Sequence, residues 1–185
     1  MNTQMKLNLL KLIRTLSYRE GQFTLASGKT STFYVDLKNV TLHPDGVRLI
    51  AQMAWSLLNP RDFGGVGGPT LGADPLATAL SLGAKEQGVV LPAFILRKEP
   101  KKHGTSKWIE GRENLKSGAR LLVVEDVVTT GGSSLRSIEK IREEGFTVDT
   151  CLCVLDRLEG GAQALAAAGV KCVALATIEE LLASR

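Results

Sequence analysis

The segment best suited to chemistry pairs two carboxylates with a run of small polar residues. Glu125 and Asp126 lie in the apolar run RLLVVEDVV, and residues 129–133 follow with the sequence Thr-Thr-Gly-Gly-Ser. Glycine lets a backbone approach a ligand closely, hydroxyls donate hydrogen bonds, and free N–H groups at a helix start attract anions. Carboxylates repel a phosphate but accept hydrogen bonds from sugar hydroxyls. The segment therefore predicts a site for a sugar phosphate.

A second segment concentrates the positive charge of the chain. Residues 97–112, RKEPKKHGTSKWIEGR, hold six Lys or Arg and two Glu, a net +4. The whole chain of 185 residues is also +4, so the remainder sums to zero. Such a local excess predicts a loop that binds a small polyanion, and argues against a basic nucleic-acid surface. Because its charges repel each other and Gly and Pro interrupt it, we expect a lid that is mobile when empty.

Alternating apolar strands and amphipathic helices predict how these segments are positioned. An amphipathic helix near residues 5–16 precedes two predicted strands, 22–27 and 32–40, and a helix that begins at about Pro44. Further strands are predicted at 63–68, 89–97, 120–128, 147–157 and 170–176. Helices are predicted between and after them at 74–88, 133–145, 160–169 and 177–184. This alternation predicts an α/β fold with a parallel sheet covered on both faces, in which ligands bind beyond the carboxyl ends of the strands.

Capping residues indicate where two of the predicted helices begin. Asp74 is predicted to cap its helix, with Pro75 at the first position, and Thr177 with Glu180 predicts a capping box. The first 40 or so residues do not fit the alternation, so we expect them to form a hood on one edge of a single domain, residues 1–185.

Several classes of function are disfavoured by composition and motifs. The three cysteines lack CxxC spacing and lie in Val/Leu-rich runs, as expected of buried, reduced residues in a cytoplasmic protein. No signal peptide, membrane span or dedicated metal cage is recognisable. Residues 67–72 have the spacing GxxxxG, but Ala73 stands where a phosphate-binding loop of that type needs Lys.

The run VVEDVVTTGGS resembles the phosphoribosyl pyrophosphate (PRPP) signature of type I phosphoribosyltransferases. Across essentially the whole chain, the sequence is similar to orotate phosphoribosyltransferases. The matching segments are FTLASGKTSTFYVDLKNV, the basic loop RKEPKKHG and the tripeptide LDR at 155–157. The resemblance implies a type I phosphoribosyltransferase-like parallel sheet, flanked by helices and carrying a small N-terminal hood.

The resemblance also implies roles for individual residues. The PRPP-binding set would be Arg97, Lys98, Lys101, His103, Glu125, Asp126, Val127, Val128, Thr129, Thr130, Gly131, Gly132 and Ser133. Within it, the acids would hold the ribose hydroxyls, residues 129–133 the 5-phosphate, and the basic residues the pyrophosphate. Orotate would contact Thr129, Arg157, Phe33 and Tyr34, although Arg157 is equally consistent with an ordinary strand-end arginine. Lys101, His103 and Asp126 are the residues whose implied role is catalytic.

The implied reaction joins a ring nitrogen of orotate to C1 of PRPP and releases pyrophosphate, giving orotidine 5′-monophosphate in pyrimidine biosynthesis. Family resemblance further implies Mg²⁺ as cofactor, a cytoplasmic location, and a homodimer whose basic loop serves the neighbouring subunit. No nucleic acid or membrane partner is expected.

Two positions depart from the family pattern, because some members carry Lys where Ala26 and Leu71 stand here. Two alternatives remain open from sequence: a phosphoribosyltransferase for another base, and a non-catalytic PRPP-sensing regulator of the same fold. A regulator would need a second basic surface and no catalytic loop. The neutral remainder of the chain and the retained basic loop favour the enzyme.

Overall fold

Two sheets organise the structure, a computed structural model that describes residues 3–24, 30–100 and 107–184. The smaller is an antiparallel hairpin of β1 (Tyr18–Thr24) and β2 (Thr30–Val35). The strands of the larger sheet are β3 (Gly65–Pro69), β4 (Ala93–Leu96), β5 (Ile109–Glu110), β6 (Arg120–Val128), β7 (Thr147–Asp156) and β8 (Lys171–Thr177). Their spatial order is β5-β4-β3-β6-β7-β8, and all neighbours pair in parallel except β5, which is antiparallel to β4.

Helices cover both faces of the larger sheet. They are α1 (Thr3–Leu16), α2 (Lys38–Thr41), α3 (Pro44–Leu57), α4 (Asp74–Glu86), α5 (Gly132–Glu143), α6 (Gly161–Ala167) and α7 (Ile178–Ala183). Helices α1, α3, α4 and α7 contribute to one hydrophobic cluster, and α5 and α6 to the other. Burial on both faces explains why β6 and β7 are nearly continuous apolar runs. The predicted α/β fold with a covered parallel sheet is confirmed.

The strand order brings the candidate residues to one edge. Strands β3, β6 and β7 are adjacent and parallel, so the turn after Pro69, the acid pair of β6 and Arg157 all lie at their carboxyl ends. The capping box predicted at Thr177 and Glu180 is present, with both reciprocal hydrogen bonds formed.

The prediction of one long strand over residues 32–40 was wrong. Strand β2 ends at Val35, and residues 38–41 form the short helix α2. The Asp36 carboxylate accepts a hydrogen bond from the backbone N–H of Lys38 at 3.1 Å, which favours a turn over an extended strand. Leu37 and Val40 are both buried, at the three-residue spacing of one helix face.

The predicted cap of α4 was also wrong, because the N-cap is Ala73 and Asp74 is already helical. The Asp74 carboxylate instead accepts a hydrogen bond from Thr70 Oγ1 at 2.8 Å, across the turn that follows β3. Strand β4 is shorter than predicted, since residues 89–92 lie outside it, and β5 was missed within the basic stretch.

The cysteines are free, with Cys151 and Cys153 buried as predicted and Cys172 half-buried. Burial raises the pKa of the Cys151 thiol well above its ordinary value. Within the described ranges, every helix is too short or too polar to cross a bilayer.

Candidate active site

Glu125 is the more deeply buried member of the acid pair, with only 5% of its surface exposed. Ser134 in α5 donates a hydrogen bond from Oγ to Glu125 Oε1 at 2.9 Å. Burial raises the pKa of Glu125 to about 7, the charge of Asp126 adds to that rise, and the Ser134 hydrogen bond opposes it. Glu125 is therefore a carboxyl group that titrates near neutral pH.

Asp126 is more accessible and faces different neighbours, because successive strand residues point to opposite faces. Its Oδ1 accepts a hydrogen bond from the Val127 backbone N–H at 2.9 Å. Burial raises the pKa of Asp126, while that hydrogen bond and the charge of Lys38 act in the opposite direction. The two adjacent acids thus combine one nearly enclosed carboxyl with one that is open to a ligand.

The Thr/Gly loop is held by a close backbone contact. Gly131 has φ +79° and precedes α5, and a Cβ there would lie 3.0 Å from the carbonyl oxygen of Gly161. A Cβ on Gly161 would lie 2.5 Å from the carbonyl oxygen of Thr129. Both glycines are therefore required for the start of α6 to support the loop. The loop leads directly into α5, whose first backbone N–H groups provide an anion site.

A cavity of about 540 Å³ joins these features. It is lined by the acid pair, by the turn after β3, by the basic stretch and by one face of α5. The lining residues are Pro69, Thr70, Gly72, Leu96, Arg97, Lys98, Trp108, Glu125, Asp126, Ser133, Arg136, Ser137 and Lys140. Predicted sugar-binding acids, predicted pyrophosphate-binding cations and part of the predicted phosphate loop thus share one space.

The basic stretch begins and ends on paired strands. The Arg97 backbone N–H donates to the carbonyl oxygen of Trp108 at 2.9 Å, extending the β4–β5 pairing. The Arg97 guanidinium donates from Nη1 to Glu110 Oε1 at 2.7 Å, and Lys98 is exposed. The predicted residues Lys101 and His103 lie outside the described residues.

The predicted orotate contacts are only partly assembled. The Arg157 guanidinium lies 5.2 Å above the ring of Phe33. The Phe33 ring also stacks on that of Tyr18, with the two centroids 5.9 Å apart. The Arg157 backbone N–H donates to the carbonyl oxygen of Val128, which places Arg157 beside the start of the Thr/Gly loop. Tyr34 packs instead on Phe23 at 5.6 Å and is 42% exposed. Phe33 and Arg157 are thus brought together, and Tyr34 points elsewhere.

Sequence reasoning missed two residues beside the acid pair, Ser134 and Lys38. Ser134 looked like an ordinary helix residue, whereas Gly72 lies in the turn, residues 67–75, that the family resemblance assigns to the pyrophosphate. Lys38 was assigned to a strand, but its hydrogen bond with Asp36 raises its pKa, and the charge of Asp126 adds to that rise. Only the Asp-x-Lys spacing of a side-chain-capped turn hinted at Lys38.

Comparison with known proteins shows the family. No family model matches the chain. An orotate phosphoribosyltransferase of Nostoc is 45% identical over 173 residues, covering 94% of this chain and 83% of that protein. The chain belongs to the orotate phosphoribosyltransferase family. The orotate phosphoribosyltransferase of Mycobacterium tuberculosis solved in complex with PRPP has a TM-score of 0.78 and 35% identity, and the match covers 96% of this chain and 98% of that one. Its complex with Fe(III) dicitrate has a TM-score of 0.83 and 38% identity, with the same coverage.

One prediction for this orotate phosphoribosyltransferase site concerns Gly72. A Cβ at Gly72 would lie 2.6 Å from Asp126 Oδ1 and 2.7 Å from its Cγ, so Gly72→Ala should displace that carboxylate. We expect kcat to fall on the order of 10-fold, since small displacements of a reacting group are costly. Steady-state assays that compare the kcat of Gly72→Ala with that of Gly83→Ala, the same substitution within α4, provide the check. Equal kcat in the two variants would show that the Asp126 position does not depend on Gly72.

Proposed function

We propose that this chain transfers the ribose 5-phosphate group of PRPP to orotate, forming orotidine 5′-monophosphate and pyrophosphate. One observation carries the proposal: Glu125, Asp126 and the start of α5 line the same cavity as the base of the basic stretch. The two acids suit the hydroxyls of a sugar, whereas the start of α5 and the basic residues suit anionic groups at two places in the cavity. PRPP has that composition.

Asp126 and Glu125 accept hydrogen bonds from the ribose hydroxyls in this proposal. Asp126 makes the stronger contact because it is the more open of the two carboxylates. The 5-phosphate binds the backbone N–H groups and hydroxyls of residues 129–133, at the start of α5. Val127 and Val128 position this segment as the last residues of β6.

Positive charge at the pyrophosphate favours the transition state. As the bond to C1 breaks, negative charge grows on the leaving pyrophosphate while the ribose becomes cationic. Arg97 and Lys98 line the cavity, and Lys101 and His103 follow on the same stretch. Cations fixed near the leaving group stabilise the transition state more than bound PRPP, and His103 can protonate the departing oxygen.

Orotate binds between the loop and the hairpin. The Arg157 side chain is 13% exposed and its guanidinium lies over the Phe33 ring, so its planar edge can receive the orotate carboxylate. Its present partner, Glu159, lies 2.9 Å from Arg157 Nε and leaves the remaining N–H groups available. Thr129 and the backbone of Tyr34 complete the proposed orotate site, since the Tyr34 ring packs on Phe23.

The residues at the cavity fit Mg²⁺ bound largely through the substrate. Glu125 and Asp126 supply the hard oxygen donors that Mg²⁺ prefers. Across residues 3–24, 30–100 and 107–184, no group of three or more metal-binding side chains forms a cage. When bound, Mg²⁺ would neutralise charge on the pyrophosphate and ribose oxygens.

We also propose the finer features of the family for this chain. Residues 1–185 form a single phosphoribosyltransferase domain whose hood, about residues 1–40, includes the β1–β2 hairpin. The protein acts in the cytoplasm as a homodimer, in which the basic loop reaches the neighbouring subunit. Free cysteines are compatible with a reducing compartment.

The decisive experiment supplies purified protein with PRPP, Mg²⁺ and one base at a time. We expect loss of orotate absorbance with formation of orotidine 5′-monophosphate, and no reaction with adenine, hypoxanthine or uracil. Turnover of a purine without turnover of orotate would assign another phosphoribosyltransferase. PRPP binding without turnover of any base would identify a regulator.

A further inference from the structure

Arg136 lies on the cavity side of α5, one turn beyond its start. Ser133, Arg136, Ser137 and Lys140 follow the spacing of a single helix face, and all four line the cavity. Side chains on a helix lean toward its N-terminus. Arg136 therefore extends toward the Thr/Gly loop, although the loop motif ends before it.

The guanidinium of Arg136 is available to a ligand. Lys140 lies 4.4 Å above the Trp108 ring and pairs with Glu143 at 2.7 Å, and Arg142 donates to the carbonyl oxygen of Val148 at 2.6 Å. Among the residues that the structure describes, Arg136 has neither an ion pair nor a hydrogen bond from its side chain. Among the cations of α5, Arg136 is thus the one whose charge is not paired within the described part of the protein.

The surroundings of Gly132 show where the Arg136 guanidinium lies. A Cβ on Gly132 would have Arg136 Nη1 at 3.5 Å and Thr130 Oγ1 at 3.9 Å as its nearest neighbours, both ordinary contact distances. Its φ is not positive either, so neither crowding nor backbone conformation requires glycine here, in contrast to Gly131. The space in front of Gly132 is therefore open, and a guanidinium and a hydroxyl border it.

We propose that Arg136 is a further PRPP-binding residue that contacts the 5-phosphate held by the Thr/Gly loop. The inference rests on the proposed function, because it takes the loop as the 5-phosphate site. A guanidinium can donate two parallel hydrogen bonds to phosphate oxygens. Arg136 would add this fixed positive charge to backbone N–H groups and hydroxyls that are themselves uncharged.

Ligands that carry only one of the two phosphate groups test this assignment. Orotidine 5′-monophosphate carries the 5-phosphate alone. Pyrophosphate, which attacks C1 and displaces orotate in the reverse reaction, carries no 5-phosphate. For Arg136→Ala, we expect the calorimetric Kd of orotidine 5′-monophosphate to rise on the order of 10-fold. The KM of pyrophosphate should stay within about 2-fold of the wild-type value, because an exposed charge acts mainly at short range.

Three further variants make the result specific. Arg136→Lys should recover part of the affinity, because it keeps the charge but loses the planar fork. Gly132→Ala should fill the open space and weaken orotidine 5′-monophosphate binding without lowering the melting temperature. Lys171→Ala removes a positive charge at the amino-terminal end of β8, and its affinity for orotidine 5′-monophosphate should match that of the wild type.

An unchanged Kd of orotidine 5′-monophosphate in Arg136→Ala would overturn the inference, as would a higher KM for pyrophosphate alone. Because Arg136 is exposed, misfolding of the variant is not expected, and a thermal melt verifies this. The orotate reaction of the wild-type enzyme is measured in parallel. Its absence would refute the proposed function, whereas its presence with an unaltered variant would refute only the role of Arg136.

Discussion

Asp126→Asn should lower kcat/KM for PRPP by about 10²- to 10³-fold, the usual effect of removing one preorganised electrostatic contact. Asparagine keeps the shape of the side chain and an oxygen that can accept the Val127 N–H. The substitution removes only the negative charge beside the developing ribose cation. Since Asp126 is partly buried and its pKa is raised, losing the charge should not destabilise the fold.

The matched control for this prediction is Asp149→Asn. Asp149 lies near the beginning of β7, at the amino-terminal ends of the strands and so away from the cavity. It pairs with Arg120 at 2.8 Å on the surface. Its loss should cost under about 1 kcal/mol of unfolding free energy and leave turnover unchanged. Steady-state kinetics and thermal melts of both variants give the comparison. If Asp126→Asn behaved like Asp149→Asn, the charge of Asp126 would have no part in catalysis.

Glu125→Gln should make the protein more stable at pH 8 and less active. Burial favours the neutral form of Glu125, whose pKa rises from 4.5 to about 7 on folding. The stability gained from this neutral carboxyl is complete below pH 4.5 and is lost as pH rises through 7. Above pH 7 the wild type keeps a buried charge, and glutamine removes it, at a gain of at most about 3 kcal/mol. PRPP binding should weaken because the charged acceptor is gone.

Urea unfolding at a series of pH values measures this effect. Between pH 4.5 and 7 we expect the unfolding free energy of the wild type to lose a component that Glu125→Gln retains. Ser134→Ala removes the hydrogen bond that opposes the rise in the Glu125 pKa, so it should extend the pH-dependent window upward. Parallel pH profiles for wild type and Glu125→Gln would show that folding does not raise the pKa of Glu125. The trade between stability and activity is common at functional sites.

Features that depend only on residues close together in the chain were predictable from the sequence. The apolar run of β6 marks a strand buried on both faces, and Glu125 with Asp126 marks its end. The capping box at Thr177 and Glu180 was predictable for the same reason, since both partners lie within one turn. Family resemblance added residues that no local pattern would select, such as Arg157.

Features that depend on distant neighbours were not predictable. Strand β5 has two residues and forms because β4 lies beside it, so it carries no periodic signal of its own. The hydrogen bond from Ser134 to Glu125 depends on how α5 packs against β6. Helix α2 was missed because the hydrogen bond that the Asp36 carboxylate accepts from the Lys38 backbone N–H outweighed the extended pattern around it.

The hydrogen bond between the backbones of Arg97 and Trp108 fixes both ends of the segment that carries most of the basic residues. Ten residues, 98–107, connect these two positions, and a chain spans at most about 3.5 Å per residue. Since the connection must go out and return, its tip can extend no more than about 17 Å from the paired strands. A homodimer that shares this loop must therefore bring the neighbouring pyrophosphate site within that radius, extended by the length of one lysine or histidine side chain. The covalent reach of one short segment thus limits how two subunits can be arranged.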